Sequence, residues 1–195
     1  VDSENIGLLV ASREAGASSG KKWFPYNKGG DFRRWYGNQE FVVNWAHDGE
    51  EIRGFVDESG KLRSRPQNLD HFFRPSVSWS KISSSLPAFR FFPPGFIFDV
   101  AGTSIFSSSH GESIDMLGFA NSLVAQVILQ TISPTLNFEV GHIASLPLLP
   151  QPRPSHHRDL IEELVSLARE DWNNLEASWD FAQFPLLQPE LKRTG

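Results

Sequence analysis

The chain has 195 residues, no cysteine, 39% hydrophobic and 21% charged residues, and a net charge of −5. That length suits one domain, or one domain with a helical appendage, able to bury about 70% of the surface an unfolded chain exposes. The composition excludes a disordered or membranous chain. The lack of thiols excludes disulfide scaffolds, thiolate zinc sites, iron–sulfur clusters and a cysteine nucleophile, and it suits a reducing compartment.

The charge is unevenly spread. Residues 1–100 hold 13 Lys+Arg against 12 Asp+Glu, whereas residues 101–195 hold 5 against 11. An acidic whole argues against a nonspecific DNA coat, which needs a local excess of cations, but it leaves room for a basic patch in the first half. The chain opens Val1-Asp2-Ser3 and its one methionine is Met116, as expected of a piece of a longer polypeptide.

In chain order, Ile6–Val10 is a short apolar run of strand type, and Ala15–Gly20 is small and polar and predicts a loop. An aromatic-rich block, Lys22 to Asn38, precedes Phe41–Trp45, which has strand composition. His47-Asp48-Gly49 signals a turn, and the stretch from Ile52 to Pro66 is ambiguous. Phe72–Trp79 and Phe89–Phe92 are β-rich pieces broken by Pro75 and Pro87. Pro93-Pro94-Gly95 makes a turn, and Phe96–Val100 is a strand of the buried type. Leu117, Ala120, Val124, Val127 and Ile128 keep the 3.6-residue period and predict one helix over Ser113–Ile132, with Ser113 as N-cap and Pro134 as stop. Asn121, Gln126 and Gln130 interrupt it and exclude a membrane span. Prolines 147, 150, 152 and 154 form a stiff connector. Beyond it, Leu160, Ile161, Leu164, Ala168, Trp172, Leu175 and Trp179 give an amphipathic helix over Asp159–Trp179 whose other face is acidic.

Catalytic motifs are scarce. A phosphate-binding Gly-x4-Gly-Lys-Ser/Thr loop is absent, and Gly102-Thr103-Ser104-Ile105-Phe106 lacks the last glycine of a hydrolase elbow. His156 and His157 are adjacent and cannot both face one metal from a helix. Phe92-Pro93-Pro94-Gly95 has the prolines of an amine-methylating loop, but Phe92 accepts no hydrogen bond from a target amine and Gly95 stacks no base. Phe98-Asp99-Val100-Ala101-Gly102 is half a methyl-donor loop without the second glycine. Neither a cofactor nor a metal is therefore expected on this piece.

The run KWFPYNKGGDFRRWYGNQEFVVNW, from Lys22 to Trp45, resembles a segment of the BREX (phage-growth-limitation type) adenine-specific DNA methyltransferases and related fused restriction-methylation enzymes. Further blocks agree in order: Lys61-Leu62-Arg63-Ser64-Arg65-Pro66-Gln67-Asn68, Val77–Ser84, Pro94–Gly102, Ser133–Ile143, and Glu170-Asp171-Trp172 through Ser178–Phe181. The resemblance covers about residues 20–185, and it falls on the portion that follows the catalytic domain of the family. It implies a mixed α/β target-recognition domain, similar to those of DNA methyltransferases and restriction specificity subunits, with a C-terminal helical segment. Residues 1–20 are then a linker from an upstream catalytic domain, 21–150 the DNA target-recognition domain, and 151–195 the Pro-rich connector with its amphipathic helix. The implied parent is a cytoplasmic bacterial enzyme of phage defence or restriction-modification that methylates adenine at N6 with S-adenosylmethionine. Its implied partners are double-stranded DNA, the catalytic domain and other defence-system subunits, with no membrane. The acidic C-terminal third departs from a DNA-contacting role and suits a protein neighbour.

DNA readout needs cations for phosphates and directed donors for base edges. The candidates are Lys28, Arg33, Arg34, Asn38, Lys61, Arg63, Arg65, Lys81 and Arg90. Arg63 and Arg65 lie in a loop between Gly60 and Pro66, so both guanidiniums can reach outward. Alternatively they are a solvated charged loop paired with Asp57 and Glu58. Lys28-Gly29-Gly30 either brings backbone N–H groups to a phosphate or makes an ordinary tight turn. Trp23, Phe24 and Trp35 favour core over base stacking, Trp79 favours packing, and Asn38 and Asn44 suit turns at least as well as adenine. Members of such a family read different sequences, so the base code belongs in less recognisable stretches such as Asp48–Gly60 and Ser84–Arg90. The competing reading is a protein-interaction module that docks defence-system subunits or a phage inhibitor. A single concave face shared by Lys28, Arg33, Arg34, Arg63 and Arg65 would favour DNA.

Overall fold

A computed structural model describes residues 2–83, 86–135, 137–148 and 155–187. The fold is mixed α+β, as the sequence predicts. Strand β1 (Trp23–Asn27) runs antiparallel to β2 (Phe41–Asn44) and pairs on its other side with a two-residue parallel strand that follows later in the chain. A second sheet is centred on β3 (Ser76–Ser80), flanked by β4 (Phe89–Phe92). The chain then crosses to the first sheet as β5 (Ile97–Phe98) and returns to the second as β6 (Gly102–Ile105), so the strand orders are β2-β1-β5 and β4-β3-β6.

The alternation of β3, Ser-Val-Ser-Trp-Ser, gives each face its own role. Val77 and Trp79 face a helical layer, where they pack with Phe89 into the larger core. Ser78 faces the first sheet, where its hydroxyl accepts a hydrogen bond from Asn27 Nδ2 at 2.7 Å. The same amide donates to Gly102 O at 3.1 Å, joining the two sheets at a buried polar point. Two short helices, α1 (Arg13–Ser18) and α2 (Ala46–Arg53), precede the helical layer, which comprises α3 (His110–Ala120), α4 (Leu123–Ile132), α5 (Val140–Ala144) and α6 (Ser155–Asn173). Ile114, Leu117, Leu129, Phe138, Ile143 and Ile161 complete that core. A smaller core of Phe24, Trp45, Phe72, Phe73 and Ile97 lies under the first sheet.

Several expectations are corrected. The single helix predicted over Ser113–Ile132 is two, α3 and α4, broken at Asn121-Ser122. The Asn121 amide turns away to bond both backbone groups of Phe89, donating to its carbonyl at 2.9 Å and accepting from its N–H at 3.1 Å. The N-cap of α3 is Ser109, and α4 has its own cap in Ser122. The break shifts the buried phase, so Ala125, Gln126 and Leu129 are buried while Val124 and Val127 are exposed. The amphipathic helix α6 starts earlier and ends earlier than predicted, at Asn173; Trp172 is buried, Leu160 is exposed, and Leu175 and Trp179 lie beyond its end. Ile6–Val10 contributes one bridge, Ile6 to Trp23, rather than a strand. The loop predicted over Ala15–Gly20 is in large part helical: α1 is capped by Ser12 and packs Gly16 against the Phe73 ring. The buried strand predicted over Phe96–Val100 is reduced to Ile97–Phe98, because Asp99 turns the chain. Most of the Pro-rich connector, residues 149–154, lies outside the described residues.

The ambiguous stretch before Pro66 resolves into a helical segment and a hairpin. Ala46–Arg53 opens with three consecutive left-handed residues, His47 (φ 51°), Asp48 (φ 60°) and Gly49 (φ 73°). This conformation costs a non-glycine residue roughly 1–2 kcal/mol. The Asp48 carboxylate offsets it by accepting two bonds from Arg13, one of 2.6 Å from Nε, and another of 2.7 Å from Arg53. The Arg13 hydrogen bonds hold the Asp48 carboxyl below its ordinary pKa. A depressed carboxylate contributes stability above its unfolded pKa, about 3.9, and loses it as pH falls through the lower folded value. The intact chain is therefore expected to lose stability more steeply than Asp48→Asn as pH falls below about 4. Urea titrations at stepped pH check this, and parallel pH profiles would refute it. Beyond this segment, Val56 and Leu62 pair across a tight hairpin closed by the Asp57 carboxylate, which accepts from Ser59 N and Lys61 N, both at 3.0 Å. Phe55, Val56 and Leu62 are exposed on this arm.

Candidate functional site

The segment that follows the hairpin, the first sheet and the start of α5 line a groove of about 700 Å³. Its floor is the smaller core: Trp45, Phe72 and Ile97, each nearly inaccessible. Its wall is a chain of aromatic rings in edge or tilted contact. Trp45 meets Phe72 at 5.1 Å, Phe72 meets Phe98 at 5.2 Å, Phe98 meets Phe106 at 5.2 Å, and Phe106 meets His71 at 4.8 Å. Such edge-to-face contacts order rings more firmly than area burial alone.

Polar groups gather around this apolar wall. Arg63, Arg65, Gln67 and Asn68 line it from the segment after the hairpin, and Lys81 and Glu139 line it from the second sheet and the cap of α5. Lys81 Nζ lies 3.0 Å from Glu139 Oε1, and this contact is the main cause of the lowered Glu139 pKa. Arg63 Nε lies 3.5 Å from Asp57 Oδ2, an exposed pair screened by solvent, so the guanidinium is easily recruited elsewhere. Arg65 is exposed and makes no ion pair among the described residues. Inside the groove the Tyr26 hydroxyl donates to Asp99 Oδ2 at 2.6 Å. Burial first, and Asp99 second, raise the Tyr26 pKa. At neutral pH the Tyr26 hydroxyl therefore keeps its proton and acts as the donor of this bond.

The candidate cations do not all meet here. Of Lys28, Arg33, Arg34, Arg63 and Arg65, only the last two line the groove. Lys28 Nζ sits 5.6 Å over the Phe41 ring. Arg33 is turned toward α6, 2.9 Å from Asp171 and stacked 5.0 Å over Trp172. Arg34 lies 5.5 Å over Phe32, and Lys61 is exposed on the hairpin. Asn38 is buried and donates to Asp31 O at 2.8 Å. Arg90 requires a correction: it is fully buried, so its side chain presents no surface to a duplex. Its cross-strand partner is Ser78, which places it on the inter-sheet face of β4. Gln67, Asn68, His71, Phe98 and Phe106 were not among the candidate contact residues read from the sequence. The two amides lie just beyond Arg65 and Pro66, a signal that could have found them; the three rings converge from separate segments and carried none.

The half methyl-donor loop does not fit a methyl donor. Asp99 Oδ1 accepts from Ala101 N at 2.8 Å and Gly102 N at 3.1 Å, and its other oxygen is taken by Tyr26. The space at Gly102 is filled by Asn27. Among the described residues no cluster of His, Cys, Asp or Glu could hold a metal ion, and no helix is long and apolar enough to cross a membrane.

Comparison with known proteins gives the context. The chain is 44% identical over 168 residues to the adenine-specific methyltransferase PglX of Lacticaseibacillus casei (strain Zhang), a match over 86% of this chain and 14% of the relative. It is 32% identical over 183 residues to the adenine-specific methyltransferase BrxX of Escherichia coli O9:H4 (strain HS), over 93% of this chain and 14% of the relative. The chain is homologous to a segment of the BREX-type adenine-specific methyltransferases. It spans about one seventh of the length of these curated relatives. No protein-family model matches it. The matched stretch amounts to most of this chain, while most of each relative lies outside it.

Proposed function

We propose that this chain is the DNA target-recognition segment of an N6-adenine methyltransferase in a bacterial phage-defence or restriction-modification system. The observation that carries the reading is the meeting of Arg63, Arg65 and Lys81 with two amides, Gln67 and Asn68, around an aromatic groove. Guanidiniums and ammonium groups serve phosphates or guanine, carboxamides serve adenine, and a rigid floor fixes their spacing. Residues 21–150 would form the recognition domain and residues 151–195 the appended connector and helix. The remainder of the longer polypeptide would bind S-adenosylmethionine and carry out the methyl transfer in the cytoplasm. A second reading, docking against another protein surface, is favoured by α4, a helix with no charged residue that exposes Leu123, Val124 and Val127.

The test is Arg63→Ala with Arg65→Ala in the full-length enzyme. Phosphate contact predicts weaker binding to cognate and scrambled duplexes alike, with the salt slope falling by about 2 in magnitude. Bidentate contact with guanine predicts instead a loss of about 1–3 kcal/mol at one base position. Fluorescence anisotropy at several salt concentrations separates these outcomes. Unchanged affinity and slope on both duplexes, with the fold intact, would sink the DNA reading.

A further inference from the structure

The buried Arg90 organises a loop outside the groove. No carboxylate pairs with it among the described residues, and its like-charged neighbour Arg33 disfavours its charge further. Burial and Arg33 push its pKa down to about 10, which leaves it charged at neutral pH. Its guanidinium is satisfied by neutral oxygens. Nη1 donates to Asp31 O at 3.3 Å and Arg33 O at 3.4 Å, and Nη2 donates to Ser80 Oγ at 2.9 Å. Ser80 Oγ in turn donates to Gly30 O at 2.7 Å, and Asn38 Nδ2 supports Asp31 O. Nε has no partner.

Three carbonyls of one loop, those of Gly30, Asp31 and Arg33, are thereby turned inward. In a planar trans peptide the N–H points opposite to the C=O. The N–H groups of Asp31, Phe32 and Arg34 consequently point outward, and none of them makes a hydrogen bond to another described residue. Gly30 makes the bend possible at φ 129°, where a Cβ would meet Asn38 Nδ2 at 2.7 Å. Arg34 flanks these donors, makes no ion pair among the described residues, and has a buried Nε without a partner. Outward N–H groups on neighbouring residues, beside a fixed cation, are the elements from which anion-binding concavities are built, and a buried charge without a counter-ion is costly unless something negative answers it.

We propose that loop 30–34 is an oxyanion site that takes a phosphate group, free or on a nucleic-acid backbone, through the N–H groups of Asp31, Phe32 and Arg34 and the Arg34 side chain. The site lines no part of the groove and does not depend on the DNA reading of that groove. Arg90 is its positioning residue, holding the three carbonyls away from the anion.

The test is a two-dimensional amide NMR titration of the chain with inorganic phosphate, against chloride at matched ionic strength, and then with a short DNA duplex. Saturable shifts at the amides of Asp31, Phe32 and Arg34 are expected. Arg34→Gln should weaken phosphate up to about fivefold, and Asp31→Asn, which removes the loop's own carboxylate, should tighten it by a similar factor at most. Opposite signs of this kind do not arise from damage to the fold. Shifts with both ligands identify the DNA backbone as the source of the phosphate, and shifts with inorganic phosphate alone identify a free phosphate. The proposal is overturned if neither ligand moves these amides beyond the chloride control, or if both variants leave phosphate affinity unchanged.

Discussion

A Trp79→Ala chain is expected to lose about 3–5 kcal/mol of stability, the range for truncating a buried aromatic residue. Trp79 is 1% exposed at the centre of β3, tilted against Phe89 with ring centroids 5.7 Å apart. Its indole N–H also donates to Phe138 O at 2.8 Å, so truncation leaves a buried carbonyl without that donor, adding about 1–3 kcal/mol if water does not replace it. The loss should reach the groove. Phe138 N donates to Lys81 O at 2.7 Å, and Phe138 precedes Glu139, so the indole braces the Lys81–Glu139 rim. Trp79→Phe keeps most of the volume and should cost less than Trp79→Ala. Urea unfolding followed by far-ultraviolet circular dichroism checks both. A Trp79→Ala midpoint equivalent to less than about 1 kcal/mol of destabilisation would show that this core relaxes around the missing ring.

Gly102→Ala is expected to cost about 3 kcal/mol, the upper end of ordinary overpacking, for the addition of one methyl group. A Cβ at Gly102 would lie 2.2 Å from Asn27 O and 2.5 Å from Asn27 Oδ1, and the first of these is backbone that cannot swing aside. Gly102 starts β6 opposite Ser80, and its own carbonyl accepts from Asn27. The methyl would push apart the point where the two sheets join. Thermal and urea unfolding of Gly102→Ala measure the loss, with a second site, Gly60→Ala, as control. Gly60 has open space around it, so its substitution tests only the strain of φ 78°. Equal losses at the two positions would show that close packing at Gly102 is not the cause.

Local pattern carried much of this architecture. The β-rich pieces around Trp79 and Phe89 appear as β3 and β4, and the turn at His47-Asp48-Gly49 appears as three left-handed residues. The preference of Phe24 and Trp79 for the core follows from size and apolarity. The break between α3 and α4 was hidden because apolar residues kept the helical period through it. What ends α3 is a pairing of the Asn121 amide with Phe89, 32 residues away. Helical propensity does not register a backbone edge that arrives from elsewhere in the chain.

The cations show the same division. Arg63 and Arg65 needed only a glycine and a proline nearby to be read as reaching outward, and they line the groove. Arg90 looked equivalent in composition, yet its register opposite Ser78 turns it between the two sheets, where it holds carbonyls. The sequence by itself determined the α+β class, the homology to adenine-specific methyltransferases and most of the core, because hydrophobic period, residue size and ordered motifs are local properties. Only the tertiary structure decided which polar groups meet. Strand register and the crossing of β5 and β6 between sheets bring Tyr26, Phe98, Lys81 and Arg65 to one groove from four separate segments, and no local period encodes that convergence.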